Sequence, residues 1–136
     1  MTNMRAMSRP VGWWLKEADA RLDAAFDRSL AGRAVDRRGW QVLATLARRS
    51  TPHEEVVAAL AAFDSPAAVE VVVQSLSSLG WIEEDGGLLR LTAEGEREHA
   101  ELAPLIEGVR GRVAAALPPE DYVTLVRLLE RLVSAL

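Results

Sequence analysis

Residues 65–91 constrain the fold more than any other stretch. "SPAAVEVVVQSLSSLGWIEEDGGLLRL" reads as a capped helix, a short strand, a tight turn and a returning strand. Ser65 is a natural N-cap and Pro66 suits the first helical position. Val69, Val72, Val73, Leu76 and Leu79 recur at helical spacing, and Gly80 can end the helix. Asp85-Gly86-Gly87 then marks a hairpin. With Gly86-Gly87 as the loop, Glu83 faces Arg90. With Asp85-Gly86, Trp81 faces Arg90. Spacing alone leaves both registers open.

The preceding residues supply more helices. Val11, Leu15, Ala18, Leu22, Ala25, Phe26 and Leu30 give a helix over about 11–31, closed by Gly32. Asp36 can cap a second helix, with Trp40, Leu43, Leu46 and Ala47 inward, ending near Arg49. In "STPHEE", Thr51, Pro52 and Glu54 are placed as a capping box, which predicts a third helix to about Phe63. Two short helices joined by a brief turn make a helix-turn-helix. Thr92 can cap a long helix with a stripe at Leu102, Ile106, Val109, Val113 and Leu117. "PPED" starts the last helix, where Tyr122, Leu125, Val126, Leu129, Leu132, Val133 and Leu136 share a face. Such an apolar terminal helix needs a cover, and the two chain ends are expected to form a homodimer.

The fold class is therefore mainly α: a winged helix-turn-helix with N- and C-terminal dimerisation helices and one small β-hairpin wing. Residues 1–10 read as a flexible tail and 11–136 as one subunit. Within it, 36–92 form the winged-helix lobe, and 11–31 and 93–136 the dimer helices.

Order, spacing and length resemble the MarR family of winged-helix transcriptional regulators. "LSSLGWIEE" resembles the exit of the reading helix into the wing. "LLRLTAEGE" matches a Leu-Thr-x-x-Gly wing exit at Leu91, Thr92 and Gly95. "PPEDYVTLVRLLERL" is similar to the family's last helix. The resemblance implies a cytoplasmic, bacterial, homodimeric regulator of double-stranded operator DNA. Its reading helix would enter the major groove. It also implies a cleft between the dimer helices and the DNA-binding lobe that takes a small aromatic effector.

Charge departs from that pattern. Net charge is −4, and residues 50–89 hold seven acids and no Lys or Arg. The family's basic reading face and wing-tip Arg have no counterpart here. DNA contacts then fall to Gln74, which can pair bidentately with adenine, and to Ser65, Ser75, Ala67 and Val71. Phosphate contacts fall to Arg48, Arg49, His53 and Arg90, with Arg37 and Arg38 in support. A competing reading makes 65–87 a protein-docking face centred on Val71, and a third makes it the solvated face of a degenerate regulator that no longer binds DNA strongly. Trp13, Trp14 and Trp40 are the candidate effector walls.

Other chemistry is thinly supplied. There is no Cys, no nucleophile motif and no Gly-rich phosphate loop, so no enzyme activity is expected. Glu96 and His99 share a helix face but are too few for a metal site. No cofactor is expected. No apolar run reaches the ~18 residues of a membrane span.

Overall fold

The computed structural model describes residues 8–136. The expected tail at 1–10 therefore falls largely outside the described residues. The elements are α1 (Val11–Ser29), α2 (Arg37–Arg48), β1 (Thr51–Pro52), α3 (His53–Ala59), α4 (Pro66–Ser78), β2 (Ile82–Asp85), β3 (Leu88–Leu91), α5 (Ala93–Ala116) and α6 (Pro119–Ala135).

Three expected caps form. The Asp36 carboxylate accepts from Gly39 N at 3.0 Å. Ser65 Oγ accepts from Ala68 N at 3.2 Å, with Pro66 at the first position of α4. Thr92 Oγ1 accepts from Gly95 N at 3.1 Å and donates to Gly80 O at 2.6 Å. Each satisfies a helix-start donor that would otherwise lack a partner.

The capping box at Thr51 does not form. Thr51 and Pro52 instead pair with Leu89 and Leu88 as a third strand, giving a sheet of order β1-β3-β2. Pairing in the sheet puts Pro52, not Thr51, at the cap position of α3, and the buried Thr51 hydroxyl donates to Arg49 O at 2.9 Å. Helix α3 starts at His53 without a side-chain cap and stops at Ala59, short of Phe63. Arg38 holds the following turn, donating to Phe63 O at 3.2 Å and pairing with Asp64 at 3.4 Å.

The wing takes the Gly86-Gly87 register, with Glu83 opposite Arg90. Both glycines have φ in the left-handed region, at 59° and 84°. That is what a type I′ turn requires at its two central positions.

The lobe core is built from Val42, Leu43, Val56, Val69, Leu76 and Leu89, closed from behind by Leu102 and Ile106 of α5. Burying each such side chain contributes about 2 kcal/mol. Two expected core positions lie outside it. Ala47 is exposed, and Val42 takes the inward place. Leu79 is 41% exposed, because Gly80 at φ 78° turns the chain and Trp81 N bonds Leu76 O at 3.1 Å. Trp81 is thereby folded inward in place of Leu79.

The chain ends are less covered. Val11 and Leu15 are exposed, and α6 has no buried residue at all. No helix among the described residues is long and apolar enough to cross a membrane.

Candidate nucleic-acid interface

Helix α4 presents Ala67, Val71, Gln74 and Ser75 on one exposed face. Their spacing of i, i+4, i+7 and i+8 makes that face continuous. Val71 is 65% exposed. Ser65 sits at the helix start, its hydroxyl occupied by the cap. The hairpin wing adjoins through β2, which packs on α4.

The cations expected to serve this face are mostly engaged. Arg49 pairs with Glu55 at 3.0 Å, both well exposed. Arg90 pairs across the wing with Glu83 at 2.9 Å and with Asp85 at 3.6 Å. His53 Nε2 lies 2.6 Å from Glu70 Oε1, and Nδ1 lies 3.6 Å from Glu84 Oε1. Exposed pairs of this kind contribute little stability, so Arg49 and Arg90 can exchange partners for phosphate.

Arg37 and Arg38 are placed for architecture. Arg37 is largely buried, pairs with Asp23 at 2.7 Å and Asp19 at 3.6 Å, and lies over the Phe26 ring. Arg38 is hydrogen-bonded to Gln41 and to the Phe63–Asp64 turn. Both tie α2 to its neighbours and are not free to meet phosphate.

Arg48 faces elsewhere. It lines a cleft of about 660 Å³ between α1, α5 and α6, with Phe26, Val109, Arg110, Val113, Leu117 and Tyr122. A neighbouring groove of about 350 Å³ shares Arg48 and Arg110 and is walled by Trp40, Leu60 and Phe63. Arg110 pairs with Glu107 at 3.2 Å, and Arg48 makes no ion pair among the described residues. Two guanidinium groups beside aromatic walls suit a flat anion.

The expected tryptophan walls do not come together. Trp13 and Trp14 pack edge to face at 4.7 Å near the start of α1, with Arg9 over Trp13. Neither lines the two grooves around Arg48 and Arg110. Trp40 does line the smaller one, but it is 6% exposed and stacked on His99 at 4.7 Å. Sequence reasoning missed Phe26, Arg110 and Tyr122. They come from three helices whose packing no local pattern states.

No protein-family model matches the sequence, and no curated protein matches it. Solved structures do. BpsR of Bordetella bronchiseptica, whose DNA binding is regulated by 6-hydroxynicotinic acid, superposes with a TM-score of 0.78 at 24% identity, over 93% of this chain and 96% of that one. The Mycobacterium tuberculosis MarR family protein Rv2887, solved with DNA, gives 0.68 at 22% identity, over 91% and 98%. The chain has the MarR fold. CouR of Rhodococcus jostii, bound to p-coumaroyl-CoA, gives 0.78 at 19% identity, over 92% of each chain. In the MarR fold, α4 and the β2–β3 hairpin are the elements expected from the sequence to serve as reading helix and wing. Neither α4 nor the rest of residues 50–89 carries a Lys or Arg.

Proposed function

We propose that this protein is a homodimeric, cytoplasmic transcriptional regulator that reads operator DNA through α4 and responds to a small aromatic anion. The observation that carries the reading is the continuous exposed face of Ala67, Val71, Gln74 and Ser75 beside the wing. In support, Rv2887, of the same fold, was solved with DNA. The effector half of the reading draws support from the cleft around Arg48 and Arg110. Ligands of BpsR and CouR are aromatic, which agrees with such a cleft.

The roles divide by chemistry. Gln74 reads a base edge, Val71 and Ala67 meet thymine methyl groups, and Ser75 bonds phosphate or base. Arg49 and Arg90 leave Glu55, Glu83 and Asp85 to meet phosphates. Arg48 belongs to the effector cleft, where it acts with Arg110.

Selection of duplexes from a randomised library tests the DNA reading. A single enriched pseudo-palindrome is expected, and Gln74→Ala is expected to weaken binding to it by about 1–3 kcal/mol. Arg49→Ala is expected to weaken selected and scrambled duplexes alike. No enrichment would overturn the reading.

Tryptophan fluorescence, read against a panel of phenolic and aromatic acids, tests the effector. Arg48→Ala is expected to weaken the responding acid by about tenfold, the worth of one charged hydrogen bond. An unresponsive Trp40 across the panel would count against the cleft.

A second reading is favoured by one observation: Val71 and Leu79 are exposed on a face without cations. It makes α4 a protein-docking helix. Val71→Glu would then abolish capture of the partner, and no duplex would be selected.

A further inference from the structure

His53 starts α3 where the reading helix and the wing converge. Its ring stands 2.6 Å from Glu70 Oε1 on α4 and 3.6 Å from Glu84 Oε1 on β2. Its backbone N–H donates to Gly87 O at 3.1 Å, in the wing turn. One residue thus touches both DNA-facing elements. A neutral imidazole has a single N–H and can donate to one carboxylate only, whereas the imidazolium donates from both nitrogens. Carboxylates at both ring nitrogens are satisfied together only by the charged ring.

Residues 50–89 contain no Lys or Arg, so His53 is the one side chain in that stretch that can become a cation. We propose that His53, Glu70 and Glu84 form a proton-dependent clamp between reading helix and wing, and that the protonated, closed clamp is the DNA-binding form. This rests on the DNA reading above.

Two effects act in the same direction. The closed clamp fixes the wing against α4, so less ordering remains to be done on binding. Protonation also leaves the trio with one net negative charge instead of two on a surface that must approach phosphates. The other charged groups around the clamp are the exposed Glu54 and Glu55 of α3, the latter held by Arg49. On the hairpin, Glu83 and Asp85 are held by Arg90.

Burial of the His53 ring opposes its charge. The hydrogen bond to Glu70 and the negative charges of Glu70 and Glu84 together outweigh that and raise its pKa above the ordinary value. A raised folded-state value gives a contribution that is complete below about pH 6.5, the unfolded value. The contribution fades as pH climbs through the folded value. His99, the other histidine, stacks on Trp40 and is held below the ordinary value by burial. It titrates on the acid side and is separable from His53.

The test uses the full chain and a duplex recovered from the randomised library, with anisotropy read at about pH 6 and about pH 8. Wild type is expected to bind about fivefold or more tightly at the lower pH. His53→Gln is expected to flatten that dependence, and His99→Gln to keep it. An unchanged wild-type affinity, or a dependence that survives His53→Gln, overturns the proposal. Histidine-ring NMR without DNA reads the clamp independently of DNA binding. The His53 pKa is expected to fall in Glu70→Gln, and one indifferent to that change overturns the clamp. If no duplex binds at any pH, the DNA reading and the coupling fall together, and the NMR titration still decides whether the clamp exists.

Discussion

Gly95→Ala is expected to destabilise the protein by about 3 kcal/mol, the upper range for forcing an atom into a packed site. A Cβ at Gly95 would lie 1.9 Å from Trp81 O and 2.8 Å from Trp81 C. Both obstacles are backbone, so no rotamer change relieves them. The same carbonyl accepts from Thr92 N at 3.0 Å, and Gly95 N donates to Thr92 Oγ1 at 3.1 Å. The wing's exit and the start of α5 are thus locked in one joint, and opening it displaces Trp81 from the core. Thr92→Ala, which removes the capping hydroxyl and one methyl but leaves the backbone joint intact, is expected to cost about 1 kcal/mol, as lost caps do. Urea unfolding followed by tryptophan fluorescence separates the two. Equal stability of Gly95→Ala and wild type would contradict the packing of this joint.

Leu125→Glu is expected to convert a dimer into a monomer. Helix α6 is amphipathic, yet it buries no residue within one chain. Tyr122, Val123, Leu125 and Leu128 are all exposed, while Val126, Leu129 and Leu132 are half-buried. The proposed dimer places this apolar face against a second copy. Two-fold symmetry places each substitution in the interface twice, which doubles the cost of one buried charge. Sedimentation equilibrium should show twice 14.8 kDa for wild type and 14.8 kDa for the variant. Operator affinity should fall by about 100-fold or more, because two linked half-sites become separate binding events. A monomeric wild type would contradict the dimer.

Much of this was legible because it is local. Asp36, Ser65 and Thr92 announce their caps by residue type, and Gly86-Gly87 announces the hairpin. The stripe of α4 shows its buried side directly. Thr51 misled, because its local pattern satisfies a helix start equally well. Only the arrival of β3, nearly forty residues later, recruits its backbone into the sheet. The cleft around Arg48 and Arg110 was not legible for the same reason. Adjacent tryptophans draw the eye, whereas Phe26, Arg48, Arg110 and Tyr122 meet only after α1, α2, α5 and α6 have packed. The His53 cluster was hidden likewise, with its three members on α3, α4 and β2. The missing cations, by contrast, were plain from composition, and the structure sharpens that shortage by pairing Arg49 and Arg90 with acids.

That shortage makes the salt dependence of DNA binding the most direct measurement. The affinity of the full chain for the selected duplex and for a scrambled one is followed as monovalent salt is raised. With Arg49 and Arg90 as the phosphate contacts of each subunit, a dimer neutralises about four phosphates, and the logarithmic slope is expected near −4. The selected duplex should remain the tighter binder throughout. Equal binding of both duplexes would contradict a reading helix, and a slope near −10 would contradict an interface poor in cations.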